Sequence, residues 1–178
     1  MENIKITIAL IVAILLQWTL RNVAEPFAYI DFPLIVVVYA ALQRNSIKAI
    51  FFGTFAGIAV DALSGGLLGA NGFSKTLIAY MVCELARRVY MDNLLLRIPV
   101  IAGACVLDDL VYYGTHRLLG QEPSGQVFVI ISYTLIGTTI AGTMVYLLLD
   151  FVLTEKTRPR RLPARRQTRR RNPIRLSK

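Results

Sequence analysis

The sequence predicts an all-α fold, a polytopic membrane bundle of about six transmembrane helices, on three observations. Apolar residues make up 55% of the 178 positions, more than ordinary soluble domains carry. They fall in continuous runs rather than in the strict alternation of a membrane barrel. Charge is also segregated, since 11 of the 20 Lys and Arg lie in residues 156–178. The remainder of the chain is too poor in charge to coat a water-soluble domain of its length. Two units follow: a transmembrane helical domain over 1–155 and a basic tail over 156–178.

A helix needs about 20 apolar residues to cross about 30 Å of hydrocarbon. Six segments approach that requirement: 4–20, 27–42, 47–63, 73–89, 94–118 and 127–153. In the first, Lys5 precedes the apolar run 6–16, as in a secretory signal. Gln17, Trp18 and Arg21 follow it in place of a small-residue cleavage site, so the segment reads as an uncleaved anchor. Cleavage between Ala24 and Glu25 is the alternative, and N-terminal sequencing separates the two.

The second segment is interrupted by Asp31 and Pro33, leaving 34–42 as its clean run. It reads either as a half-helix or as a short tilted span with Pro33 in its first turn. Charge counting favours crossing. With the N-terminus inside and six spans, the inner segments hold Lys5, Arg44, Lys48, Arg87, Arg88, Arg97 and the tail, and the outer ones only Arg21, Lys75 and Arg117. Basic residues stay on the cytoplasmic side, so both termini are expected there.

On the third segment, Gly53 and Gly57 lie four apart and form a stripe of small residues that lets helices approach closely. Packing within the chain is preferred over a homodimer face. Glycines cluster in 64–72, a break that ends the third helix and starts the fourth close by. On the fourth, Glu84 stands three and four residues before Arg87 and Arg88, at pairing distance on one face. The fifth carries two adjacent acids, and the sixth is a long continuous apolar run. The tail holds nine Arg and three Pro from position 158 onward. It has too little apolar surface to order itself. Each basic residue near an anionic leaflet contributes roughly 1 kcal/mol, so the tail is expected to tether anionic lipid. Without interleaved aromatics it carries no sign of a specific nucleic-acid partner.

Ionisable groups inside lipid are costly, which makes each a candidate site. Asp61 lies 13 residues beyond Lys48, roughly 20 Å along a helix and near the outer side. It is expected to bond backbone N–H groups of the glycine break, with Lys75 as its pairing partner in a clasp across the hairpin. Asp108 and Asp109 lie about 16 Å past Arg97, near the midplane. Neighbouring helix positions point about 100° apart, so the two acids face different partners. Tyr112 and Tyr113 follow at four-residue spacing as hydroxyl partners. Interhelical hydrogen bonding is the preferred role for these acids, and proton-coupled transport the sharper one. His116, the single histidine, sits beside Arg117 at the expected outer end and reads as interfacial. Cys83 and Cys105 read as small buried apolar groups. No phosphate-binding loop, dinucleotide fingerprint or HExxH motif is present. No cofactor and no metal are expected, and an enzyme is disfavoured.

The stretch Gly57-Ile58-Ala59-Val60-Asp61-Ala62-Leu63-Ser64-Gly65-Gly66-Leu67-Leu68-Gly69 resembles the hallmark hairpin of the rod shape-determining protein MreD family. Leu77-Ile78-Ala79-Tyr80 with Arg87-Arg88 resembles that family's next helix. Asp31-Phe32-Pro33-Leu34 with Arg44 resembles its second segment, and Leu107-Asp108-Asp109-Leu110 its fifth. The resemblance covers about 5–153. It departs at Gly66-Leu67, where the family often places Pro or Thr second, and in the longer Arg tail. It implies a non-catalytic scaffold of the bacterial cell-elongation complex, organising peptidoglycan synthesis in the plasma membrane. Its implied partners are MreC, MreB and the glycan polymerase and transpeptidase. The hairpin residues Gly53, Gly57, Asp61, Ser64, Gly65 and Gly69 become the expected structural or partner-binding set, with Asp108 and Asp109 as buried acids. The family fold is similar to the substrate-binding subunits of energy-coupling-factor transporters. The alternative is therefore a small-solute or vitamin-binding subunit with an outward pocket of groups such as Trp18, Asp61 and Tyr112.

Overall fold

A computed structural model describes residues 2–23, 29–65, 67–89, 94–120 and 127–153. The tail 156–178 and the junction at 24 and 25 lie outside these. Among the described residues the chain forms six helices and no strand: α1 (Glu2–Val23), α2 (Phe32–Ala41), α3 (Ser46–Ser64), α4 (Ala70–Arg88), α5 (Leu94–Leu118) and α6 (Val127–Leu153). Three stretches are long and apolar enough to cross a membrane: Asn3–Leu20 of α1, Ser46–Ser64 of α3 and Val127–Leu148 of α6. The outward faces of these helices are oily. Ile8, Val12 and Leu15 of α1, Phe51 and Phe55 of α3, and Ile136, Ile140 and Met144 of α6 are all at least half exposed. A continuous apolar coat of this kind aggregates in water and is at home in lipid.

The second helix is the centre of the bundle. It has ten residues, about 15 Å of rise, and is shorter than the segment 27–42. Asp31 is its N-cap, accepting from the Leu34 backbone N–H at 2.9 Å, and Pro33 sits in the first turn. Proline suits that position, because the N–H it lacks has no helical acceptor there. Every residue from Pro33 to Ala41 is buried. A helix apolar on all sides belongs in an interior, and α2 packs against each of the other five.

Around it, Ile6, Leu10 and Ile14 of α1 meet Phe52 and Ala56 of α3, Ile78 and Val82 of α4, and Ile101 and Ala104 of α5. Cys83 and Cys105 are buried here, both as free thiols. Tyr39 and Tyr146 meet at a tilt of 57° with ring centroids 5.2 Å apart, and the Arg97 guanidinium lies 4.8 Å over the Tyr146 ring.

The tightest pairing is between α3 and α4. A Cβ on Gly53 would lie 2.7 Å from the Lys75 carbonyl oxygen, and one on Gly57 would lie 2.3 Å from that of Asn71. The glycine stripe therefore faces the chain's own next helix, so the packing is intramolecular. Gly65 closes α3 at φ 65°, a left-handed conformation that only glycine adopts without strain, and its N–H bonds the Asp61 carbonyl at 3.2 Å.

Candidate functional site

Helix α4 begins at Ala70, three residues earlier than the sequence suggests, and Asp61 explains why. Its N-cap is Gly69, which has no side chain to satisfy the first free N–H groups. The Asp61 carboxylate reaches across from α3 to do so. Oδ2 accepts from the backbone N–H of Gly69 at 2.8 Å and of Gly72 at 3.1 Å. Oδ1 accepts from the Asn71 N–H at 3.2 Å and from its side-chain Nδ2 at 2.8 Å. A carboxylate at a helix N-terminus also meets the positive end of the dipole. Asp61 is 1% exposed, and four donors satisfy it without a cation. Asp61→Asn turns an amide nitrogen toward two of those donors. It is expected to cost about 2 kcal/mol, read as a lower melting temperature in detergent.

Lys75 does not pair with Asp61. It sits one turn deeper on α4, fully buried, and points the other way. Its Nζ bonds Asp108 Oδ2 of α5 at 2.8 Å and also bonds Asp31 Oδ2 at the start of α2. The expected Asp61–Lys75 clasp is thus replaced by two separate devices. The reason is the backbone: the N–H groups at the start of α4 already occupy Asp61, while the desolvated carboxylates of Asp31 and Asp108 demand a cation. Lys75 also leaves the set of outer-surface charges, since it reaches neither face.

The neighbourhood completes the cluster. Ser74 Oγ–H donates to Asp108, bonding Oδ1 and lying 2.9 Å from its carbonyl oxygen. The Asp31 N–H donates to Thr138 Oγ1 of α6 at 3.1 Å, and Phe32 N–H donates to Gln17 Oε1 of α1 at 3.0 Å. Helices α1, α2, α4, α5 and α6 are thereby tied at one level. Asp108 is 4% exposed and faces α4. Both it and Asp109, one position on, line a cavity of about 410 Å³. Tyr112 and Tyr113 line that cavity as well, and Asp109 Oδ2 is buried with no hydrogen-bond partner among the described residues.

Of the groups expected around an outward pocket, only Tyr112 lines the cavity. Asp61 is occupied at the hairpin, and Trp18 is half exposed on the outer face of α1. His116 Nδ1 lies 3.0 Å from the Tyr112 carbonyl oxygen. Glu84 pairs with Arg88 at 3.1 Å and Arg87 at 3.8 Å, the spacing their sequence positions require. Among the described residues no group of three acids, histidines or cysteines is placed to hold a metal.

Sequence reasoning singled out Asp61, Asp108 and Asp109 but missed Asp31, Ser74, Thr138 and Gln17 as parts of the cluster. Asp31 was legible as an interruption of an apolar run. Its role follows only when Lys75 is required to find a counter-charge inside the bundle.

Helices with oily exteriors, one apolar central helix and a buried lysine held between two carboxylates define an all-helical integral membrane protein held together by buried polar contacts. The family model of rod shape-determining protein MreD matches residues 3–155. The chain belongs to that family, whose role is in determining rod shape, and its apolar helices fit a bacterial inner membrane. Searches of curated proteins and of solved structures returned no match.

Proposed function

We propose that the protein is a non-catalytic scaffold of the bacterial cell-elongation complex, organising peptidoglycan synthesis together with MreC, MreB and the glycan polymerase and transpeptidase. The observation that carries this reading is the internal use of the intramembrane charges. Lys75 bonds both Asp31 and Asp108, and Asp61 bonds the start of α4. Catalysis needs a group free to exchange protons or attack, whereas these groups hold helices in place. The hairpin of Gly53, Gly57, Asp61, Ser64, Gly65 and Gly69 gives the scaffold a rigid element on which partners assemble.

The reading also includes six crossings, with both termini cytoplasmic and the Arg-rich tail against anionic lipid. Arg44, Arg87 and Arg88 gather at one face, where Arg87 Nε donates to the Arg44 carbonyl at 3.3 Å, and cytoplasmic faces collect such residues. A green fluorescent protein fused to the C-terminus is expected to fluoresce in cells, and an alkaline phosphatase fused there to be inactive. An active phosphatase fusion would place the tail outside.

Depletion in a rod-shaped host is the functional test. Cells are expected to round up, to recover rod shape on re-expression, and to yield MreC when the tagged protein is purified from native membranes. Rods that persist after clean deletion would remove the scaffold reading.

A further inference from the structure

Opposite the face of Arg44, Arg87 and Arg88, residues of α1, α3, α4, α5 and α6 and of the segment 29–31 line the 410 Å³ cavity. Among the described residues its wall includes Gln17, Tyr29, Asp31, Asp109, Tyr112 and Tyr113, and no Lys or Arg. Charge is unbalanced there. Asp31 and Asp108, which both line the cavity, share the ammonium of Lys75. Asp109 is a third carboxyl group, and its Oδ2 is buried without a hydrogen-bond partner among the described residues. Asp31 keeps 21% of its side chain exposed.

A carboxylate removed from water without a counter-charge is costly, so the cavity favours a cation. The three tyrosine rings narrow the choice. Aromatic faces attract organic ammonium groups, and a mixed polar and apolar wall suits a small organic body better than a hydrated metal ion.

We propose that this cavity binds a protonated primary amine carried on a small organic body, with Asp109 as its counter-ion. The site adds a ligand to the scaffold role and does not depend on it. A free amine and the amine headgroup of a phospholipid share this chemistry.

The test uses the full-length protein in dodecyl maltoside, titrated calorimetrically with butylammonium chloride. Saturable binding is expected, with no heat from butanol and no equal competition by potassium chloride. Asp109→Asn is expected to weaken binding about tenfold or more, as loss of a close charge pair requires. Ile130→Trp fills the cavity while keeping the carboxylate, and is expected to abolish binding, so a folding failure of either variant leaves the other decisive. Nanodiscs separate the sources: butylammonium binding weakened by added phosphatidylethanolamine identifies the headgroup as occupant, and unchanged binding identifies a free amine. Absence of saturable binding, equal competition by potassium, or wild-type affinity in Asp109→Asn would overturn the proposal.

Discussion

Lys75→Met is expected to destabilise the protein by about 3–5 kcal/mol, because it removes the one ammonium from between two carboxylates. Asp108 is buried and Asp31 is mostly so, and neither meets a second cation among the described residues. The loss should exceed what packing alone predicts, since methionine nearly matches the lysine stem in volume. Two measurements check this. The melting temperature of the detergent-solubilised variant should fall sharply, and adding Asp108→Asn to Lys75→Met should recover part of the loss. A melting temperature like that of the wild type would mean that the carboxylates do not need the ammonium.

Gly57→Val is expected to do comparable damage by a different route. The Cβ it introduces falls 2.3 Å from the Asn71 carbonyl oxygen and 2.5 Å from the Gly72 Cα. Both are backbone atoms at the start of α4, where no rotamer change relieves the clash. The helices must part, and Asp61 then loses its hold on the Gly69, Asn71 and Gly72 N–H groups. Overpacking of this severity costs about 3 kcal/mol, on top of any hydrogen bonds lost. Gly103→Ala is the control, since nothing lies within 4 Å of a Cβ built there, and it should leave the melting temperature nearly unchanged. A folded Gly57→Val protein with wild-type stability would show that the close approach of α3 and α4 is dispensable.

These two sites differ in how far the sequence reveals them. The close approach at Gly57 was legible, because small residues four apart in an apolar segment have one main use in lipid. The pairing of Glu84 with Arg87 and Arg88 was legible for the same local reason: three- and four-residue spacing fixes it. Lys75 reads from the sequence as an outer-side charge paired with Asp61, and neither its burial nor its partners were legible. Asp31 is 44 residues away and Asp108 is 33 away, and no local rule selects them over the nearer Asp61. What decides between them is which acceptor the start of α4 has already occupied, and that depends on the turn geometry at Gly69. The segment 27–42, interrupted by Asp31 and Pro33, allows a half-helix or a short tilted span, and charge counting favours crossing. Its helix starts at Phe32 because Asp31 caps it and Pro33 fits the first turn. That Asp108 and Asp109 face different ways follows from helix geometry alone. That Asp108 meets a lysine while Asp109 Oδ2 finds no partner among the described residues does not.

The central claim is that the buried charges hold the bundle rather than perform chemistry. The most direct measurement replaces the whole cluster with near-isosteric neutral groups, Asp31→Asn, Lys75→Met and Asp108→Asn together. It then asks whether this variant supports rod shape in cells depleted of the native protein. Exchanging a complete buried ion-pair network for neutral groups is often close to neutral for stability, and asparagine still caps a helix. Rod-shaped cells are predicted. Round cells containing the variant at wild-type level in the membrane, with an unchanged melting temperature, would contradict the account and assign the charges a chemical role.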